Sequence, residues 1–355
     1  MFVKISTVLT VLFFSLTAYA IPGFRQITLS DSQHRQLNVV VWYPATSQHS
    51  AEVVAENKAF FGVKVVRDAY PTITTHPLLV LSHGYRGNWR NLSWIAEVMA
   101  EQGYIVAALD HPGTSTFDHD PLEAGKLWQR PRDISAVINL VTGSPELFGR
   151  VDPQRIAALG HSLGGWTVIA LAGGRFVPSR LLKNCRHQIL RGDCQLVQQL
   201  GLTDHETRQR WRKDLSDPRI KAVVSLDPGL APGFTADSLR HISIPVLLLA
   251  AGSDHLAQLP SSQEAGYLAA YLPAKGDALY IIHGATHFSF MQLCKPGATN
   301  LIDQESPGEG IVCRDGGGRS RGDIHRQLIL QISQFLNTAL NYPFSGRGTS
   351  LATYQ

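Results

Sequence analysis

Residues 155–171 limit what this chain can become more than any other segment. They hold an apolar run, Ile156-Ala157-Ala158-Leu159, the turn Gly160-His161-Ser162-Leu163-Gly164-Gly165, and a second apolar run over 166–171. Short apolar runs on either side of a glycine turn read as a buried strand and a buried helix. A serine between them, with glycine two residues before and two after, fits a sharp strand-to-helix turn that lifts its Oγ clear of a sheet. The glycines are needed because a Cβ at those places would strike the neighbouring strand or helix. Alone, the pattern also fits a glycine-rich turn with a helix-capping serine.

The surrounding chain favours the first reading. Two β-segments are expected over 24–42, a buried strand over 78–82 and a helix over 93–102 stopped by Gly103. A strand over 104–109, a helix over 131–141 and the strand over 155–159 follow. Further strands are expected at 221–226, 245–250 and 278–282, and a last amphipathic helix at 324–340. This alternation predicts an α/β fold of the α/β-hydrolase type: a mostly parallel central sheet flanked by helices. Residues 173–218 interrupt the rhythm with two polar-rich helical segments, about 179–200 and 204–214, and read as a helical cap inserted into one domain spanning 21–343. Residues 45–74 are hard to read, and 344–355 read as a disordered tail.

Lys4, the apolar stretch 8–16 and Ala18-Tyr19-Ala20 have the layout of a signal peptide over 1–20, cleaved after Ala20. The uncharged stretch 5–20 is short of the roughly 20 residues a spanning helix needs. A periplasmic or secreted protein is therefore expected. In an oxidising compartment four cysteines predict disulfides, with three pairings open. The local pairing, Cys185 with Cys194 and Cys294 with Cys313, closes two short segments and is preferred.

Hydrophobic residues make up 44% of the chain and charged residues 17%, a balance suited to a large buried core. The net charge of +4 is spread without a basic run, which argues against a nucleic-acid partner. A mildly basic surface is compatible with transient contact with membranes or lipid aggregates. No Cys-x-x-Cys spacing exists, and Asp118-His119-Asp120 lacks further ligands for a metal.

A serine hydroxyl needs a base to remove its proton, and in this fold the order is Ser, acid, His. His287 lies beyond the turn Gly284-Ala285-Thr286, where its ring can swing over the sheet edge; His283 still belongs to the strand. Two aspartates compete to orient the imidazole. Asp254 follows an apolar strand in Gly252-Ser253-Asp254 and is favoured; Asp227, in Leu226-Asp227-Pro228-Gly229, is the alternative, with a turn cap as its plainer role. The oxyanion is expected on backbone N–H groups of Leu163, after the nucleophile, and Tyr85, in the loop His83-Gly84-Tyr85-Arg86-Gly87.

With these residues the chain resembles the secreted dienelactone-hydrolase-like esterases, a group that includes platelet-activating-factor acetylhydrolase and polyester-degrading cutinases. The likeness covers most of 25–340 and rests on Leu81-Ser82-His83-Gly84-Tyr85, Gly103-Tyr104-Ile105-Val106-Ala107-Ala108, residues 160–165 and Gly284-Ala285-Thr286-His287-Phe288. It implies a Ser-Asp-His triad, no metal or organic cofactor, and small-molecule or lipid ester substrates from acetylated phospholipids to short acyl esters. The acetylhydrolases resemble the placement of the acid at Asp227, and the cutinases its placement at Asp254. A serine in place of the cysteine of true dienelactone hydrolases points away from lactone opening. An exported serine carboxylic-ester hydrolase, carboxylesterase- or lipase-like, is the function expected. The alternatives are a non-catalytic binding protein of the same fold, or a peptidase or amidase using the same triad. Oligomeric state is left open by the sequence.

Overall fold

The computed structural model describes residues 21–30, 35–46, 50–186, 192–202, 211, 213–253, 260–273 and 278–342. The expected signal peptide, the tail 344–355, most of the 204–214 segment and Asp254 lie outside the described residues.

The strands are β1 (Gly23–Ser30), β2 (Gln36–Tyr43), β3 (Ala45–Thr46), β4 (Glu52–Val54), β5 (Val63–Arg67), β6 (Tyr70–Pro71), β7 (Thr75–Ser82), β8 (Ile105–Asp110), β9 (Arg150–His161), β10 (Ile220–Leu226), β11 (Val246–Ala251) and β12 (Ala278–Ile282). The helices are α1 (Ser93–Glu101), α2 (Pro121–Ala124), α3 (Gln129–Gly143), α4 (Pro145–Phe148), α5 (Leu163–Leu171), α6 (Pro178–Cys185), α7 (Gly192–Gln199), α8 (Ala236–Arg240), α9 (Ala265–Tyr271), α10 (Ala298–Glu305) and α11 (Arg321–Ala339). The main sheet has the order β12-β11-β10-β9-β7-β8-β2-β1-β5-β4. It is parallel from β8 to β12, and β2 joins β8 antiparallel.

The expected α/β-hydrolase architecture is what the chain forms. Alternate residues of the central strands feed two cores, as a sheet covered on both faces requires. In β7, Leu78 and Val80 join helices α3 and α5 on one face, and Leu79 and Leu81 join α1 and α11 on the other. From β7 the chain goes to β8 on one side, then returns across β7 to place β9 on the other. Loops leaving the C-terminal ends of β7 and β9 therefore part in opposite directions and open a crevice, the usual place for a site in such sheets.

The differences from expectation have physical causes. Residues 45–74 hold four strands of two to five residues, too short to show a period; β5 gains order by pairing with β1 and β4. The helix expected over 179–200 is instead α6 and α7. The Cys185–Cys194 disulfide explains the break: it holds the two Cα atoms at 5.4 Å, whereas nine residues of straight helix would separate them by about 13.5 Å. Cys294 pairs with Cys313, also as expected, and between them lies α10, which the sequence reading missed. α6, α7 and Trp211 pack on an aromatic cluster of Trp128, Trp166, Phe176 and Phe234.

Helix α5 has no polar face and all nine of its residues are buried, so its seat against the sheet leaves little slack. A Cβ on Gly164 would lie 1.9 Å from the Ser82 carbonyl oxygen, and one on Gly160 would lie 2.0 Å from that of Gly164. Both obstacles are backbone. Gly164→Ala is expected to lower unfolding free energy in urea by about 3 kcal/mol or more. Gly143→Ala, with nothing within 4 Å of the added carbon, is expected to leave it unchanged or slightly raised.

Candidate active site

Ser162 sits between β9 and α5 with φ 57° and ψ −117°, a left-handed conformation that a residue with a Cβ holds only at a cost of about 1–3 kcal/mol. Its N–H donates to Leu226 O at 2.9 Å, and its carbonyl accepts from Trp166 at 3.2 Å and Gly229 at 3.4 Å. Strand β10 and the loop after it therefore hold the turn as firmly as α5 does. The residue is 9% exposed.

Asp227 directly follows the next strand, also at positive φ, 41°. Both carboxylate oxygens are engaged: Oδ1 accepts the Ala251 N–H at 2.8 Å and Oδ2 meets His287 Nδ1 at 2.6 Å. A carboxylate partner places the proton of neutral His287 on Nδ1 and leaves Nε2 as an acceptor. His287 opens a single 3-10 turn, 287–290, whose entry is a capping box between Thr286 and Ser289. Thr286 Oγ1 donates to Arg314 O and Ser289 Oγ to Asp315 Oδ1, so the segment after the Cys294–Cys313 disulfide braces this turn. His161, adjacent to Ser162, donates its Nε2–H to the His287 carbonyl at 2.8 Å. The serine turn and the histidine turn are thereby joined directly. His283 is exposed and stands in the turn after β12, which ends at Ile282, and not in the strand as expected.

The oxyanion candidates come from opposite sides of the crevice. Gly84 approaches Ser162 so closely that a Cβ on it would lie 3.1 Å from the serine Cβ. Among the described residues the N–H groups of Tyr85 and Leu163 have no protein acceptor. The carbonyl of Gly84 accepts from His83 Nδ1–H at 2.6 Å and from Gly87 N–H at 3.1 Å. In a planar trans peptide this turns the Tyr85 N–H to the other side.

Behind this loop lies a buried polar network that sequence reasoning did not find. His83 Nε2 accepts the His111 N–H; His111 bridges Ser82 Oγ and Asp133; Arg35 pairs with Asp133. Arg130 lies at the centre, 2% exposed. Burial pulls its guanidinium down to about 9, partly restored by the charge of Asp133. The only cue in the sequence was that Arg130 and Asp133 interrupt an otherwise apolar helix stripe. The loop side chains of Asp118 and Asp120 are spent on backbone N–H groups nearby, and His119 bonds the Thr116 carbonyl.

The sequence model of the prolyl oligopeptidase family matches residues 90–176, a stretch that holds Ser162 but neither Asp227 nor His287. The chain is similar to cutinase est1 of Thermobifida alba, 25% identical over 218 residues, which is 61% of this chain and 54% of the relative. It is similar to a bis(hydroxyethyl) terephthalate hydrolase of Streptomyces coelicolor, 25% identical over 62% of this chain and 54% of the relative. The chain thus matches about half the length of these curated relatives. Among solved structures it resembles a ferulic acid esterase from Streptomyces cinnamoneus, with TM-score 0.59, 20% identity and coverage of 94% and 95% of the two chains. It also resembles a puromycin-hydrolyzing peptidase of Mycobacterium tuberculosis, with TM-score 0.52, 16% identity and coverage of 94% and 41%. These structural likenesses carry the fold.

The buried histidines make stability depend on pH. Burial first, then neighbouring positive charge, holds His83, His111 and His161 well below the ordinary imidazole range, and His325 down to about 3. Each stays neutral in the folded chain but protonates near pH 6.5 once unfolded. The unfolded chain therefore binds more protons below that pH, and stability falls as pH drops from about 6.5. Glu97, raised by burial to about 7, acts in the opposite sense and offsets one of the four. Urea unfolding between pH 7 and 5 is expected to show a net uptake of about two protons or more, at about 1.4 kcal/mol per pH unit for each. A flat profile there would contradict the assignment of neutral buried histidines.

Proposed function

We propose that this chain is an exported serine carboxylic-ester hydrolase that works through an acyl-enzyme on Ser162. The observation that carries the reading is the 2.6 Å contact of Asp227 with His287 Nδ1, set beside a serine at φ 57°. In this mechanism His287 Nε2 takes the Ser162 proton as Oγ attacks the ester carbonyl. Asp227 keeps the imidazole in the required tautomer and stabilises its charged form. The Tyr85 and Leu163 N–H groups receive the oxyanion, the latter at the N-terminus of α5. The alcohol leaves with the proton from His287, and water activated by the same base releases the acid. Asp227 is the proposed acid in place of Asp254, which the sequence favours.

The names of the matched relatives, cutinase and terephthalate-ester hydrolase, support an ester substrate, small or polymeric. Export is supported by the signal-like 1–20 segment and by the two disulfides. The cap is proposed to shape the acyl side of the crevice, because its described part rests on the aromatic cluster around Trp166, one turn beyond Ser162. Acetylated or short-acyl phospholipids remain within this reading, since the acetylhydrolase resemblance carries the acid at Asp227. A second reading, amide cleavage by the same triad, is favoured by the prolyl oligopeptidase match over 90–176.

The test is hydrolysis of a p-nitrophenyl acyl series, with p-nitroanilides in parallel, by the chain from Ile21 onward. Ser162→Ala is expected to abolish turnover, and Asp227→Asn to lower kcat by about 10⁴-fold. Asp254→Asn is expected to stay within about threefold of the unsubstituted chain, a margin far smaller than loss of a triad acid. Ester cleavage with no measurable anilide turnover supports the first reading; anilide turnover that is lost with Ser162→Ala supports the second. Full turnover by Ser162→Ala would end both.

A further inference from the structure

Arg130 takes no part in the steps above, yet its donors reach both halves of the oxyanion hole. Toward the β7 side, Nη2 donates to the His83 carbonyl and to Ser82 Oγ, the latter at 3.3 Å. Nη1 donates to Thr114 Oγ1 at 2.6 Å, in the loop whose Thr114 carbonyl accepts the Arg86 N–H. Toward α5, Nε donates to Thr167 Oγ1 at 3.0 Å, and that hydroxyl donates in turn to the Leu163 carbonyl at 2.9 Å. One planar guanidinium thus spans 82–86 and 163–167.

We infer that Arg130 is the positioning residue of the oxyanion hole, setting the Tyr85 and Leu163 N–H groups at a fixed separation; this rests on the acyl-transfer reading. The His83 carbonyl held by Arg130 fixes the peptide plane entering Gly84. The Gly84 carbonyl, held by His83 Nδ1–H and Gly87 N–H, fixes the next plane, which carries the Tyr85 N–H. His83 can serve as that donor because its Nε2 is occupied as an acceptor by the His111 N–H, leaving the proton on Nδ1. His111 is set in turn: Ser82 Oγ, accepting from Arg130, donates to its Nε2, and its Nδ1–H faces Asp133. Core packing alone has no need of a buried guanidinium, whereas a donor pair for an oxyanion must be held in place before the charge develops. A lysine would keep the charge but lose the fork that reaches four acceptors.

The experiment compares Arg130→Lys and Thr167→Val with the unsubstituted chain on a p-nitrophenyl ester, with active sites counted from the burst of p-nitrophenol. Arg130→Lys is expected to lower kcat per site by about ten- to a hundredfold, with KM within about threefold. Affinity for a trifluoromethyl ketone, whose hemiketal oxygen occupies the oxyanion hole, is expected to fall by the same factor as kcat/KM. Thr167→Val removes only the α5 arm and is expected to lower kcat per site about threefold or more. A purely structural role would reduce the number of active sites and the melting temperature while leaving kcat per site unchanged. If kcat per site stays within twofold in both variants, the inference is overturned. If Arg130→Lys does not fold, an unchanged Thr167→Val overturns it equally. If the unsubstituted chain shows no Ser162-dependent turnover, it is the acyl-transfer reading that falls, and the inference with it.

Discussion

The structure depends on one strained turn. Ser162 can occupy a left-handed conformation between β9 and α5 only because residues without side chains stand where the strand end, the helix start and the loop after β7 come within contact. The strain, about 1–3 kcal/mol for such a residue, is held by neighbours. A wholly buried helix fixes one side, and backbone bonds to Leu226 and Gly229 fix the other. The same closeness that excludes any Cβ at Gly164 brings the β7 loop up against the serine.

From that turn the rest of the site follows by topology. The sheet order puts β7 and β10 on either side of β9, so the loop after β7, which carries the proposed oxyanion donor Tyr85, and the Asp227 loop flank Ser162 without a long connection. His287 arrives from beyond β12, two strands away from β10, and needs anchoring of its own. It receives this from Asp227, from the His161 ring and from the segment after the Cys294–Cys313 disulfide. Trp94 and His325 add a stacked pair beneath the turn, with Trp94 Nε1–H on the Phe290 carbonyl and His325 Nε2–H on that of Ser289. The histidine side of the site is thus carried largely by the last third of the chain.

Much of this was legible in the sequence, and the boundary is physical. The parallel strands could be read because each is an apolar run of about five residues ending in a turn, and the serine turn because its glycines have fixed spacing. The turn that carries His287 beyond β12 could be read from Gly284-Ala285-Thr286. The contact of Asp227 with His287 could not, since Asp227 and Asp254 both follow apolar strands in the sequence and the pairing is visible only in three dimensions. Arg130 escaped because a buried arginine in a helix looks like a solvated one until its acceptors, drawn from three separate segments, are assembled around it. The break between α6 and α7 was legible, since the Cys185–Cys194 pairing preferred from the sequence is incompatible with one straight helix over 179–200.

The central claim is covalent: an acyl group passes through the oxygen of Ser162. It is tested most directly by mixing the chain from Ile21 with p-nitrophenyl acetate, quenching in acid within the burst, and mapping the acetylated peptide by mass spectrometry. The account predicts one acetyl group per chain, on the peptide that contains Ser162, disappearing at the rate of steady-state turnover. Acetylation elsewhere, or turnover with no acyl-enzyme formed at any quench time, would contradict it.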